Sequence, residues 1–201
     1  MKYTLKMLNS MLRHGDGTIY LPQLIDIELP DDLEVDGNLY LHCSHIKKMP
    51  KRLMVKGDLY LHHSNISELP EILEVGGDLN ASYTNIRHLP KDIKVGGKID
   101  ISCTKIAELP EGIEVGGLDI TNTDIYYLPK DIKIDGDLYI SFTNITELPE
   151  NFEVSGDLDL SYTAIKKLPK GLKVSGNLDI SNSEIKEVHE DAKIDGHILY
   201  Y

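Results

Sequence analysis

A β-rich solenoid, in which each coil contributes one short strand to a parallel sheet, is the fold that this sequence predicts. Three observations predict it: a Leu-Pro dipeptide that recurs about every twenty residues, an L-x-L alternation within each unit, and a glycine just before each alternation. A strict period of this length is typical of repeat arrays, in which each unit contacts only its neighbours. We therefore expect one elongated domain.

The repeat frame is L-P-x-x-L-x-V-x-G-D-L-x-L-x-x-T-x-I-x-x, as in the unit from Leu148 to Lys167. Leu-Pro occurs at 29–30, 69–70, 89–90, 109–110, 128–129, 148–149 and 168–169, and Met49-Pro50 fills the remaining position. One step has nineteen residues, with the missing residue next to Gly117. The L-x-L segment predicts a strand with one buried face, so stacked coils would bury a continuous column of Leu, Ile and Val.

Glycine and proline define the corners of each coil. We expect positive φ at the glycines that precede the strands, namely Gly37, Gly57, Gly77, Gly97, Gly117, Gly136, Gly156, Gly176 and Gly196. Proline fixes φ and excludes a helix from the segment that it begins. The return side of each coil is therefore predicted to be extended or polyproline-like.

The ends of the chain differ from its middle. We assign residues 1–28 to an N-terminal cap and a degenerate first coil, 29–187 to eight coils, and 188–201 to a truncated last coil. Residues 4–13 place three leucines on one face of a predicted capping helix. The last strand, with Ile198, Leu199, Tyr200 and Tyr201, would expose unpaired backbone groups, which favours either a homodimer through this edge or a frayed edge covered by the tyrosines.

The L-x-L-x-x-[S/T]-x-I segment resembles the strand signature of leucine-rich repeats, with Ser or Thr where that family usually has Asn or Cys. These residues are Ser44, Ser64, Thr84, Thr104, Thr123, Thr143, Thr163 and Ser183. The resemblance implies a buried ladder of hydroxyls that bond the backbone of neighbouring coils. The short Leu-Pro repeat is also similar to helix-free repeats of secreted bacterial effectors, and the corner to repeats of bacteriophage and bacterial proteins. The likeness covers roughly residues 29–199 and concerns architecture more than function.

Composition narrows the class of partner. The net charge of −12 disfavours direct binding to nucleic acids or anionic membranes and permits a basic protein partner. No apolar run reaches the length of a membrane span, and the N-terminus lacks a signal peptide's apolar segment, so we expect a cytoplasmic protein or one secreted by a signal-peptide-independent route. Cys43 and Cys103 lie three coils apart, too far for a disulfide, and are predicted to be free thiols.

Charged residues alternate in sign along two columns. The residues after the proline are Asp31, Lys51, Glu71, Lys91, Glu111, Lys130, Glu150, Lys170 and Glu190, and a second column has Glu74, Lys94, Glu114, Lys133, Glu153 and Lys173. Adjacent coils would then place opposite charges within pairing distance, which favours one register over a slip of one coil. We interpret this edge as structural.

The outward face of the strands is the predicted functional surface. It carries eight aspartates and one lysine, Lys98, counting Asp58, Asp78, Asp137 and Asp157 in the slot before each strand. Aromatic and histidine side chains cluster towards the two ends, and exposed aromatics are common anchors of protein interfaces, with Phe142 the best single candidate here. The predicted protein-binding residues are Tyr40, His42, Tyr60, His62, His63, Tyr83, Asp100, Asp119, Tyr139, Phe142, Asp159, Tyr162 and Asp179.

Catalytic and metal-binding patterns are not apparent. His42 and His62 lie on adjacent strands, but no residue clearly completes a metal site, and the aspartate columns lack the closed oxygen cage that calcium requires. The sequence contains no P-loop, dinucleotide fingerprint or catalytic dyad. We expect no enzyme, no metal and no cofactor. The leading hypothesis is a protein-binding module; an acidic DNA mimic that inhibits a nucleic-acid-binding protein and a structural spacer are the alternatives.

Overall fold

One side of the molecule is a ten-stranded parallel sheet that takes one strand from each coil. The computed structural model describes residues 15–200; the capping helix expected over residues 4–13 lies outside this range. In chain order the strands are β1 (Ile19–Tyr20), β2 (Ile27–Glu28), β3 (Asp32–Val35), β4 (Leu39–Tyr40), β5 (Ile46–Lys48), β6 (Arg52–Val55), β7 (Leu59–Tyr60), β8 (Ile72–Val75), β9 (Leu79–Asn80), β10 (Lys94–Val95), β11 (Lys98–Asp100), β12 (Glu114–Val115), β13 (Gly117–Asp119), β14 (Lys133–Ile134), β15 (Leu138–Tyr139), β16 (Glu153–Val154), β17 (Leu158–Asp159), β18 (Lys173–Val174), β19 (Leu178–Asp179), β20 (Lys193–Ile194) and β21 (Ile198–Leu199). The sheet order is β1-β4-β7-β9-β11-β13-β15-β17-β19-β21.

The register places equivalent residues of successive coils side by side. Leu39 pairs with Leu59, and Leu138 with Leu158, so the apolar side chains form columns along the solenoid. These columns are buried throughout the inner coils. The twenty-residue period therefore produces the parallel β-solenoid expected from the sequence, and residues 15–200 contain no helix.

The return side of each coil is extended and also partly paired. Strands β3, β6, β8 and β10 form a four-stranded parallel ladder, β16, β18 and β20 form a second ladder, and β12 with β14 and β2 with β5 form shorter ones. Val35, Val55, Val75 and Val95 lie in register along the first ladder and are buried. The backbone amides on this side thus bond neighbouring coils, which the proline-based prediction did not include.

The glycines before the strands have a different role from the one predicted. Among the described glycines, positive φ occurs at Gly17, Gly112 and Gly171; none of these is among the nine glycines for which it was predicted, although Gly17 has the equivalent position in the first coil. Instead, a Cβ on Gly57, Gly77 or Gly156 would overlap the side-chain oxygen of the preceding coil's Asn38, Asp58 or Asp137. Glycine is needed there because a side chain of the neighbouring coil passes through the space, and the expectation of positive φ is wrong.

Ion pairs form along one of the two alternating columns. Lys94 Nζ lies 2.8 Å from a carboxylate oxygen of Glu74, and Lys133 and Lys173 pair with Glu114 and Glu153. From Lys51 to Glu190 of the post-proline column, all within the described range, no ion pair links successive coils. The alternation of the second column therefore supports the register, while Lys193 lies beside Lys173 and ends it.

The last coil is less well buried than those before it. Ile194 and Ile198 are half-buried, as is Ile185 in the coil before, although their equivalents in the inner coils are buried. Leu199 is 46% exposed and Tyr200 is 59% exposed. No helix within the described range is long and apolar enough to cross a membrane.

Candidate functional site: the strand face and its turn

Half of the acidic residues of the strand face hold neighbouring coils together. In the slot before each strand, the side-chain Oδ1 accepts a hydrogen bond from the backbone N–H of the residue in the same slot of the next coil. The acceptors Asn38, Asp58 and Asp137 bond the amides of Asp58, Asp78 and Asp157, each at 2.8 Å. In the same way, Asp78 accepts the amide of Lys98, Asp157 that of Asn177, and Asn177 that of His197. We call these residues the Asx ladder. The carboxylates of this slot, which the sequence places on the predicted functional face, therefore have a structural role as well: they bond neighbouring coils.

The Asx ladder is interrupted at the shortened coil. Lys98 and Gly117 occupy its slot there, paired in register on β11 and β13. A lysine ammonium cannot accept a hydrogen bond and glycine has no side chain, so neither residue can accept the amide that follows in the ladder. A Cβ on Gly117 would have its nearest neighbour at 3.4 Å, so this corner has room for a side chain.

The carboxylates inside the strands form local hydrogen bonds. Oδ1 of Asp100, Asp119, Asp159 and Asp179 accepts the backbone N–H two residues later, at 3.0, 3.1, 2.8 and 2.8 Å. These four residues are half-buried. One oxygen of each carboxylate fixes the turn after the strand, and the charge remains on the outward face.

The aromatic cluster at the N-terminal end is a continuous set of ring contacts. Tyr40 stacks on Tyr60 at 4.7 Å between ring centroids, and His42 stacks on His62 at 4.8 Å, one slot further along each strand. His63 lies edge-on to His62 at 5.9 Å and stacks on Tyr83 at 4.5 Å. Six of the predicted binding residues are therefore brought together here: Tyr40, His42, Tyr60, His62, His63 and Tyr83.

Tyr20 belongs to the same cluster and was missed. Its ring lies 5.2 Å from that of Tyr40, and β1 pairs with β4 so that the two tyrosines are in register. The alignment of Gly17-Thr18-Ile19-Tyr20 with Gly37-Asn38-Leu39-Tyr40 in the sequence could have identified it.

Burial changes the protonation of this cluster. Burial, followed by the nearby His42 and His63, lowers the pKa of His62, whose Nδ1 is buried without a hydrogen-bond partner among the described residues. Burial and a hydrogen bond to Asp58 raise the pKa of Tyr60 to about 12, and Tyr139 with Asp137 behaves in the same way. These shifts favour the neutral forms of His62, Tyr60 and Tyr139.

The aromatic residues towards the C-terminal end, Tyr139, Phe142 and Tyr162, form two separate contacts. Phe142 stacks on Tyr162 with ring centroids 4.4 Å apart and planes 12° apart. Tyr139 instead contacts a cation, since Nζ of Lys98 lies 4.7 Å from its ring centroid and 3.5 Å from Oδ2 of Asp119. Lys98 is the one lysine that the sequence places on this face, and its contacts with Tyr139 and Asp119 carry no signal in the repeat pattern.

The exposed aromatics occupy a strained turn. Cys43, His63, Tyr83, Cys103, Asn122, Phe142, Tyr162 and Asn182 share one slot after the strand, and all have φ between 53° and 56°. Asn tolerates this left-handed region, whereas for a bulky residue it costs about 1 kcal/mol. Phe142 is nevertheless 55% exposed and Tyr162 is 51% exposed, so the strain is not offset by burial.

The hydroxyls behind this turn close it from within the coil. Thr84, Thr104 and Thr143 donate to the backbone oxygen three residues earlier at 2.7–2.8 Å, and Thr123, Thr163 and Ser183 do likewise. Among the described hydroxyls of this column, Ser44 alone bonds the preceding coil, through the carbonyl of Leu21. Apart from Ser44, the expected ladder between coils is therefore wrong for this column, because the bonded hydroxyls donate to a carbonyl of their own coil.

The chemistry available on this face is limited. Cys43 and Cys103 are free thiols, as predicted. No group of three or more His, Cys, Asp or Glu within residues 15–200 has the arrangement of a metal site. The face offers aromatic rings, imidazoles, carboxylates and small hydroxyl residues.

Comparisons with known proteins add no relative: no family matches the chain, and no curated protein sequence matches it. The function is therefore inferred from the geometry of the coils.

Proposed function

We propose that the chain is a non-enzymatic protein-binding module that uses the outward strand face and the turn beside it. The exposed, stacked aromatics of the strained turn are the main support. Tyr83, Phe142 and Tyr162 are 55%, 55% and 51% exposed at positions where glycine or asparagine would be more stable. Backbone strain of this kind clusters at ligand-binding sites, where binding provides a reason to retain it.

The proposed partner is a protein with a basic surface. The carboxylates of Asp100, Asp119, Asp159 and Asp179 lie in one row on the face, and Lys98 is the cation beside them. A row of like charges on adjacent strands reduces stability, and a basic partner would offset the repulsion. The same charge argues against direct binding of nucleic acid or a membrane.

We infer the type of repeat and the source of the protein from the resemblance of the coil to leucine-rich repeats. The L-x-L-x-x-[S/T]-x-I strand and the twenty-residue coil support a short Leu-Pro type of leucine-rich repeat, and such repeats favour a bacterial or bacteriophage protein that acts on a host or partner protein. A cytoplasmic location, or secretion without a signal peptide, is part of this proposal.

A library selection tests the proposal. Wild-type protein would be used to select ligands from a displayed library of peptides and small domains, and the affinity of each ligand for two double variants would be measured. We expect Phe142→Ser with Tyr162→Ser to weaken binding about a hundredfold, because interface aromatics are frequent hot spots. The matched control is Tyr126→Ser with Tyr127→Ser, an aromatic pair 4.9 Å apart and away from the strand face, which should leave affinity unchanged.

The same measurement separates the alternatives. If selected ligands are DNA-binding domains whose affinity falls on neutralising Asp100, Asp119, Asp159 and Asp179 but not on removing the aromatics, the chain is a DNA mimic. If no ligand depends on either set, the strand-face proposal fails and the spacer remains.

We also propose that the outer edge of β21 is a surface for self-association. Among the described strands β21 pairs only with β19, and Leu199 and Tyr200 are exposed beside the unpaired backbone. Sedimentation at high protein concentration should give a dimer that Leu199→Lys converts to a monomer. A monomeric wild type would contradict this assignment.

A further inference from the structure

Lys98 shows how the strand face receives a cation. Its ammonium lies 3.5 Å from Oδ2 of Asp119 and 4.7 Å from the ring centroid of Tyr139, so a carboxylate and an aromatic face share one positive charge. A cation between these two groups is stabilised by both. The molecule thus contains an occupied example of the site that a basic partner would need.

The register repeats this arrangement on the other side of the same ring. Tyr139 is paired with Asp119 in the preceding coil and with Asp159 in the following one, and Asp159 is paired with Asp179. Tyr60, in the same slot, stacks face to face on Tyr40 at 4.7 Å, and Tyr139 donates to Asp137 as Tyr60 donates to Asp58, so the two rings are held alike. The face of Tyr139 opposite Lys98 is therefore directed towards Asp159.

No cation of the described part of the chain occupies that second position. Within residues 15–200, no ion pair reaches Asp159 or Asp179, and the hydrogen bonds from Ser161 and Ser181 use Oδ1 of each carboxylate. The stacked Phe142 and Tyr162 belong to the same two coils, three residues beyond Tyr139 and Asp159, and provide exposed apolar surface next to the acidic one.

We propose that Tyr139, Asp159 and Asp179, bordered by Phe142 and Tyr162, bind an arginine side chain of the partner. Arginine fits better than lysine because its planar guanidinium stacks on an aromatic face while it donates two parallel bonds to a carboxylate. An apolar residue next to the arginine would contact Phe142 and Tyr162. This assignment rests on the proposed function. It specifies the chemical group of the partner that the C-terminal half of the strand face binds.

Amide resonances can report on the site directly. The capped hexapeptide Gly-Ser-Arg-Leu-Ser-Gly would be titrated into the ¹⁵N-labelled chain of residues 1–201, alongside the same peptide with neutral citrulline in place of arginine. We expect saturable shifts at the amides of Ser161 and Ser181, which donate to Asp159 and Asp179. The citrulline peptide should bind about tenfold more weakly, because it keeps the shape and loses the charge.

The chain provides an internal control and matched variants. The amide of Ser102 donates to Asp100 in the same way but has Asn80 rather than a tyrosine in the preceding coil, so it reports on charge without the ring. Asp159→Asn keeps the oxygen that accepts the Ser161 amide and should reduce affinity about tenfold without unfolding the coil. Lys98→Met should open the equivalent position beside Asp119, so that the Thr121 amide also begins to respond.

Equal binding of the two peptides, or an equal response of Ser102 in the wild type, would overturn the arginine site. If that happens while library-selected ligands still require Phe142 and Tyr162, the strand face keeps its binding function and only this assignment is wrong. If the selected ligands are also insensitive to those residues, the proposed function itself fails.

Discussion

Replacing Asp58 separates the structural role of the Asx ladder from its charge. Oδ1 of Asp58 accepts the Asp78 amide at 2.8 Å, and Oδ2 accepts the Tyr60 hydroxyl at 3.1 Å. Asp58→Ala removes both acceptors from a half-buried corner, and at about 1 kcal/mol for each hydrogen bond the free energy of unfolding should fall by about 2 kcal/mol. For a chain of this length, that corresponds to a decrease in melting temperature of about 4–8 °C.

Asp58→Asn is the matched variant, and the preceding coil already shows its geometry. Asn38 accepts the Asp58 amide through Oδ1 at 2.8 Å, and its Nδ2 donates to the Tyr40 hydroxyl at 3.2 Å. Asparagine at 58 can therefore keep both bonds while it removes one of two adjacent negative charges. Its melting temperature should lie within about 2 °C of the wild type, since a change below about 0.5 kcal/mol is expected.

Thermal unfolding followed by far-ultraviolet circular dichroism, in the two variants and the wild type, measures both effects. If Asp58→Ala has the melting temperature of the wild type, the ladder bonds contribute nothing to stability, contrary to the prediction. If the melting temperature of Asp58→Asn decreases as much as that of Asp58→Ala, charge rather than hydrogen bonding controls the corner.

Three further predictions concern the corners before the strands and a tyrosine beside one of them. Gly117→Asn should restore an acceptor for the Asp137 amide and raise the free energy of unfolding by about 1 kcal/mol, measured by urea denaturation; a decrease would show that the corner cannot hold the side chain. Gly57→Ala should lower it by about 1–3 kcal/mol, because the new Cβ overlaps Oδ1 of Asn38, and an unchanged denaturation midpoint would contradict the close approach. Since the pKa of Tyr60 is raised to about 12 in the folded chain and lies near 10 when unfolded, its stabilising contribution is complete below pH 10 and is lost as the pH rises towards 12. Denaturation between pH 9 and 12 should show a steeper decline in the wild type than in Tyr60→Phe, and parallel curves would contradict this.

The sequence was sufficient for the solenoid because the fold depends on spacing alone. Leu158 and Leu178 must lie in register once the coil has twenty residues, and the apolar columns then follow. The free thiols follow as well, since Cys43 and Cys103 cannot approach within a disulfide's reach across three coils.

Features that depend on side-chain direction could not be predicted in this way. The sequence placed Asp58 on the outward face, but whether its oxygen would reach the next coil's amide depends on a rotamer and on the space left at Gly77. For the same reason, positive φ was assigned to the glycines, when the residue after the strand, such as Phe142, adopts it. A contact such as that of Lys98 with Tyr139 spans two coils and carries no periodic signal.

The binding surface on the strand face is tested by measuring the affinity of a library-selected ligand for two variants: Phe142→Ser with Tyr162→Ser, and the control Tyr126→Ser with Tyr127→Ser. Both variants remove an aromatic pair, and denaturation would first establish that both remain folded. A loss of about a hundredfold confined to the first variant is the predicted result. Affinities within twofold of the wild type for both variants would contradict a binding surface on the strand face.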